Sequence, residues 1–311
     1  MSTDSFTFTS DDGTEIYVHV WLPEADAKAV VQLAHGMGEH AGRFGAFAEV
    51  LVKHGYAVYA NDHRGHGLSI RDGEEPGHMG EDNVFERAID DVRTLSEKIA
   101  ERHTDVPKFL MGHSMGSFMT QRMLIQHSDC MDAAILSATN GKPPAIAAAG
   151  RLIARLERFR IGKTGKSPII NALSFKEFNS KFKPNRTEFD WLSRDEAQVD
   201  AYIADPLCGF IVGAQSWIDM LDHLGSLTEP ASLAQIPKNI PIYILAGTSD
   251  AVGDMGAGVM RLVHAYADAG IRNVEVKLYP GGRHEMLHEI NRDEVVDDLI
   301  VWLERTYASL K

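Results

Sequence analysis

The 311-residue chain has few cysteines, a deficit of basic charge and no long apolar run, and each shortage narrows what it can do. Cys130 and Cys208 are its only cysteines, too few for the disulfide frameworks of small secreted domains, so both read as buried fillers in a reducing compartment. Thirty-one Lys and Arg against 44 Asp and Glu give a formal net charge of -13, which repels phosphate backbones and argues against nucleic acid as a partner. No uncharged apolar stretch approaches the roughly 18 residues that a membrane span needs. Met1–Ser10 shows no basic segment followed by an apolar one, so no secretory signal is visible and the expected location is the cytoplasm. Internal repeats and low-complexity tracts are missing as well.

What is present is an alternation. Short apolar, β-branched runs recur at Glu15–Leu22, Ala29–Ala34, Tyr56–Ala60, Lys108–Met111, Ala133–Leu136, Ile242–Ala246 and Val274–Tyr279. Helical patterns separate them: Phe85, Ile89, Val92, Leu95 and Ile99 share one face, as do Val296, Leu299, Trp302 and Leu303. Strands alternating with helices predict an α/β fold with a mostly parallel sheet, which binds ligands at the carboxyl ends of its strands. The alternation stops between about Asn140 and Thr228, where helical stretches and prolines replace strand-like runs. The expected organisation is therefore a core of residues 1–139 and 229–311 with residues 140–228 inserted as a helical cap.

Gly112-His113-Ser114-Met115-Gly116 matches G-x-S-x-G, in which a strained turn from strand to helix lifts a serine hydroxyl above the sheet. Phe109, Leu110 and Met111 run into the motif as a strand; Met115, Phe118, Met119 and Met123 leave it as a helical face. A serine needs a base to take its proton and a third group to orient that base, in the chain order serine, acid, histidine. Asp250 follows one late strand through Gly247-Thr248-Ser249, and His284 follows the next through Pro280-Gly281-Gly282-Arg283. The oxyanion formed on attack needs two backbone N–H donors. Met115, next after the nucleophile, supplies one; Met37, in the loop His35-Gly36-Met37-Gly38-Glu39-His40 after an early strand, is the choice for the other.

A competing pattern overlaps the histidine. His284-Glu285-Met286-Leu287-His288 reads H-E-x-x-H, which on a helix presents two zinc ligands on one face. Pro280-Gly281-Gly282 instead puts His284 in a loop or at a helix start, and a zinc hydrolase through His284 and His288 leaves Ser114, Asp250 and the glycine loop unexplained. No metal or organic cofactor is therefore expected. His63 and His66, in Asn61-Asp62-His63-Arg64-Gly65-His66-Gly67, are read as structural hydrogen-bonding groups.

Four blocks in order, His35 to His40, Asp62 to Ser69, Gly112 to Gly116 and Tyr279 to Glu285, together resemble the monoacylglycerol lipase and lysophospholipase branch of the α/β-hydrolases. That branch is grouped by sequence with the serine aminopeptidase-like hydrolases. The resemblance implies Ser114, Asp250 and His284 as the triad, Met37 and Met115 as oxyanion donors, and a helical cap shaping a lipid pocket. Ala251 stands where relatives often have proline and His288 where they often have asparagine; neither touches the triad. Ser193-Arg194-Asp195 with Asp205-Pro206-Leu207 resembles the bacterial lysophospholipase-type members.

The cap differs in charge from the rest of the chain. From Lys142 to Arg186 there are 11 basic residues, against only Glu157 and Glu177. Ile146, Ala149, Ile153 and Leu156 fall on one helical face and Arg151, Arg155 and Arg158 on another, a layout that fits either a cap helix packed on the core with solvated arginines or transient contact with anionic lipid surfaces. The expected function is a serine carboxylester hydrolase acting on single-chain lipid esters such as monoacylglycerols or lysophospholipids, its activity rising on the order of pH 6.5 as His284 deprotonates. The rivals are a thioesterase or aminopeptidase on the same triad and a ligand receptor on the same fold without turnover.

Overall fold

All seven apolar runs form strands, and the computed structural model, which describes residues 2–142 and 146–311, adds an eighth. The strands are β1 (Ser2–Thr9), β2 (Glu15–Leu22), β3 (Ala29–Ala34), β4 (Tyr56–Asn61), β5 (Lys108–His113), β6 (Ala133–Ser137), β7 (Ile242–Gly247) and β8 (Val274–Tyr279). They build one sheet in the order β1-β2-β4-β3-β5-β6-β7-β8. Pairing is parallel from β4 to β8 and antiparallel where β2 meets β1 and β4. Every residue of β3, β4, β6 and β7 is buried, as expected of parallel strands covered on both faces. With helices on its faces, this is the α/β-hydrolase architecture the sequence predicts.

β1 escapes the sequence reading because little of it is core. Phe8 is its one buried hydrophobic residue, and the strand is held by eight residues of register against β2, from Ser2 opposite Leu22 to Thr9 opposite Glu15. Several strands also run past their apolar stretch: β5 continues through Gly112 and His113, β7 through Gly247. Those extra residues deliver the chain to the site.

Helices α2 (Val84–Arg102) and α3 (Met115–Gln126) lie where the periodicity places them, and α1 (Gly45–Lys53), for which no pattern was read, precedes them between β3 and β4. Phe85, Ile89, Val92, Leu95 and Ile99 are all buried along α2. Between β6 and β7 the described residues form helices and no strand, chiefly α4 (Ile146–Ile161), α5 (Glu196–Ala204) and α6 (Ala214–Ser226).

The orientation of α4 corrects the expected amphipathic face. The side chain of Ile146 lies outside the described residues; of the others, Ala149 and Leu156 are exposed and Ile153 is half-buried, while Ala154 and Glu157 point inward. Arg151 and Arg155 reach Asp222 of α6 at 3.2 and 3.3 Å, and Arg158 donates to Gln215 at 2.8 Å. The basic row therefore pairs with α6 while staying in contact with solvent, the Arg155 side chain being 58% exposed. Besides its arginines α4 shows solvent an apolar stripe, with Leu152 61%, Leu156 62% and Phe159 93% exposed. Arginine stems have laid themselves along a helix bearing acid and amide partners, and the apolar row next to them was left outside.

Candidate active site

Ser114 sits between β5 and α3 with φ 52° and ψ -116°, a backbone region that non-glycine residues rarely occupy. The surrounding backbone enforces that turn. A Cβ on Gly116 would lie 2.0 Å from the carbonyl oxygen of Ala34, so α3 leaves the elbow pressed against the end of β3. The amide of Ser114 donates to the Ser137 carbonyl at 3.0 Å, tying the elbow to β6.

The acid and the histidine come from the ends of adjacent strands, as the order of motifs predicts. Asp250 is fully buried, and its Oδ1 lies 2.9 Å from Nδ1 of His284 and accepts from the Val252 amide at 2.9 Å. The imidazole is packed between rings, 5.0 Å centre to centre from both His113 and Trp191. Burial by itself lowers the pKa of His284, but the charge of Asp250 and the hydrogen bond to it outweigh that, and the net shift is upward from 6.5. His113, the residue before Ser114, brings the elbow next to His284. Ser114 Oγ makes no hydrogen bond among the described residues, and contacts of this kind often tighten only when substrate arrives.

The glycine loop lies against the serine: a Cβ on Gly36 would be 3.3 Å from Cβ of Ser114. Among the described residues no hydrogen bond takes up the N–H of Met37 or of Met115, so both proposed oxyanion donors are unclaimed. The loop is held from two sides. Glu39 accepts from the Gly36 amide at 2.7 Å, while the Gly38 carbonyl accepts from Tyr202 Oη at 2.8 Å and from the Gly209 amide at 2.9 Å.

Sequence reasoning missed the charged group beneath this arrangement. Arg43 is almost fully buried and donates from Nη1 to Glu39 at 2.7 Å and, with both terminal nitrogens, to Glu285 at 2.6 and 2.7 Å. One guanidinium thus serves two buried carboxylates, one holding the glycine loop and the other adjoining His284. Burial pushes both carboxyls up; the bidentate contact overcomes it at Glu285, held near about 2, whereas Glu39 stays raised. The i,i+4 spacing of Glu39 and Arg43 was a local signal; the partnership with Glu285, 242 positions beyond Arg43, had none.

The H-E-x-x-H reading does not fit the local structure. His284 lies in a non-helical turn with Nδ1 on Asp250, and Met286–His288 is one short 3-10 turn. His288 faces Gln198 through Nδ1 at 3.2 Å. His63 and His66 behave as structural groups: the His63 amide donates to Nε2 of His35 at 2.9 Å, and His66 Nδ1 meets the Arg64 carbonyl at 3.0 Å.

The sequence profile of the family described as serine aminopeptidase, S33, matches residues 25–291. The chain belongs to this family of α/β-hydrolases. It is 31% identical over 301 residues to the monoacylglycerol lipase of Mycolicibacterium smegmatis, covering 96% of this chain and 95% of that one. A thermostable carboxyl esterase from Bacillus coagulans, solved with glycerol, superposes with a TM-score of 0.91 at 26% identity over 99% of both chains. A soluble variant of the Saccharomyces cerevisiae monoglyceride lipase, solved with a substrate analogue, shares the fold with a TM-score of 0.79 at 20% identity, covering 98% of this chain and 95% of that one. This α/β-hydrolase is accordingly a serine hydrolase of the monoacylglycerol lipase branch.

The buried charge group generates a stability prediction. Arg43→Met leaves Glu39 and Glu285 without their counter-ion and should cost about 3–5 kcal/mol at neutral pH. Urea denaturation of both proteins measures it, and a loss below about 1 kcal/mol would show that Arg43 does not hold the two loops.

Proposed function

We propose that this hydrolase cleaves the ester of monoacylglycerols, with Ser114 as nucleophile, His284 as base, Asp250 as its orienting acid and the amides of Met37 and Met115 as the oxyanion hole. The observation that carries the reading is the 2.9 Å His284–Asp250 pair beside a serine held at positive φ. The glycerol-ester substrate rests on the monoacylglycerol lipase matched over 96% of the chain. In this reading residues 140–228 form the cap over the carboxyl edge of the sheet. The amides of His284 and Glu285, donating to the carbonyls of Trp191 and Leu192 at 3.4 and 2.8 Å, support that position.

The chemistry follows from the geometry. Asp250 fixes the Nδ1–H tautomer of His284, leaving Nε2 free to take the Ser114 proton as Oγ attacks the ester carbonyl. Negative charge develops on the carbonyl oxygen and is met by the unclaimed amides of Met37 and Met115. The imidazolium, stabilised by Asp250, protonates the departing glycerol oxygen, and His284 then activates water to release the fatty acid from Ser114.

Two measurements test this. Ser114→Ala should lower hydrolysis of a monoacylglycerol, read as fatty acid by mass spectrometry, by at least about 10⁴-fold. Full activity in that variant sinks the assignment, and faster wild-type turnover of a lysophospholipid, thioester or amino-acid amide sinks the substrate class. Because only neutral His284 accepts a proton and its pKa is raised, kcat/KM should climb with pH through a midpoint above 6.5. A midpoint below 6.5 would contradict the Asp250 pairing.

We also propose that the cap meets lipid through Leu152, Leu156 and Phe159, not through the arginine row. These residues are spaced i, i+4, i+7, so they form one exposed stripe on α4. Replacing all three by serine should weaken sedimentation with phospholipid vesicles about tenfold or more and leave hydrolysis of a water-soluble ester unchanged. Unaltered vesicle binding would rule the stripe out.

A further inference from the structure

A second set of chemically capable side chains lies beside the glycine loop. His40 closes that loop, and Asp205 and Cys208 occupy the turn that follows α5. The turn is built by the Cys208 amide donating to the Asp205 carbonyl at 3.1 Å and the Leu207 amide donating to Asp205 Oδ1 at 2.8 Å. The second bond leaves Oδ2 of Asp205 facing Nε2 of His40 at 2.9 Å. A ring nitrogen of His40, a carboxylate oxygen of Asp205 and Sγ of Cys208 all lie within 4.8 Å of one another, and all three residues are half-buried.

An imidazole nitrogen, a carboxylate oxygen and a thiol sulphur are a ligand set suited to Zn²⁺ and its softer relatives. Bond lengths of about 2.0–2.3 Å in a tetrahedron put donor atoms roughly 3.3–3.6 Å apart, so side-chain rotations of about an ångström close the set. Half-burial leaves a path for the ion and room for water as fourth ligand. The Leu207 amide on the other oxygen of Asp205 already orients that carboxylate, as outer-shell contacts do in metal sites. The nearby group of Glu39, His113 and Glu285 is equally compact, but Arg43 already supplies its positive charge.

We propose that His40, Asp205 and Cys208 bind a thiophilic divalent cation, Zn²⁺ in the first instance, that clamps the glycine loop to the helical segment. Binding breaks the His40–Asp205 hydrogen bond, the Nε2 proton of His40 passing to Nδ1 by exchange with solvent, and forms one bond from the metal to each residue. The Cys208 thiol loses its proton to solvent, with no change in oxidation state. The Gly209 amide already donates to the Gly38 carbonyl at 2.9 Å, so the clamp acts next to the loop that carries Met37. Holding that loop lowers turnover; this consequence, unlike the binding itself, rests on the proposed ester hydrolysis.

Cobalt titration of the full chain tests the site without reference to activity. Co²⁺ should bind one per chain and produce a thiolate-to-cobalt absorption in the near ultraviolet that Zn²⁺ removes by displacement. Cys208→Ala should abolish the band, His40→Asn and Asp205→Asn should each weaken binding at least tenfold, and Cys130→Ala should change nothing. Zn²⁺ should inhibit hydrolysis of a water-soluble ester reversibly with a chelator, and Cys208→Ala, as active as wild type without metal, should resist. Absence of the band in the wild type, or its survival in Cys208→Ala, overturns the site. A normal band with no inhibition overturns the clamp alone, and a normal band in a chain inactive on every ester overturns the proposed hydrolysis and not the metal site.

Discussion

Close approach of backbone to backbone is the constraint on which this structure depends. At the elbow there is no space for a side chain between Gly116 and the carbonyl of Ala34, and at the end of β7 a Cβ on Gly247 would lie 1.9 Å from the carbonyl oxygen of Gly282. The first contact seats the serine turn on β3, from whose end the glycine loop departs. The second presses the loop that carries Asp250 onto the loop that carries His284. Segments up to 170 positions apart in the chain come together because glycine allows their backbones to touch.

Around that contact the protein spends burial and charge on fixing loops. Arg43 links Glu39, which holds the Gly36 amide, with Glu285, which adjoins His284. The glycine loop and the loop that carries His284 therefore share one guanidinium, and neither can move without disturbing a buried ion pair. Trp191 and His113 confine the imidazole from two directions, and Asp250 sets its tautomer and raises its pKa. Such preorganisation suits chemistry in which charge appears on an oxyanion and an imidazolium and must be met without reorganising the protein.

Much of this was legible in the amino-acid sequence because the chemistry demands fixed residue types at fixed places along an alternating chain. Ser114 between glycines, Asp250 and His284 after successive strands, and the glycine loop after an early strand are local patterns, and each falls where a strand ends. β1 was hidden because an edge strand with one buried hydrophobic residue carries almost no hydropathy signal. The strand ends were read short because Gly112, His113 and Gly247 are not apolar. On α4 periodicity separates two rows but does not say which residues are buried: Ala154 and Glu157 point inward, Leu156 lies outside, and the solvated arginines find partners in Asp222 and Gln215 of α6. Contacts between distant segments, Arg43 with Glu285 and His40 with Asp205, exist only in the folded chain.

The central claim is that Ser114 carries the one activated hydroxyl and that His284 activates it. Labelling with a fluorophosphonate, followed by mass spectrometry of the digested protein, tests it most directly. The account predicts a single adduct on Ser114, formed far more slowly in His284→Ala. An adduct on a different residue, or labelling of Ser114 at an unchanged rate without His284, would contradict it.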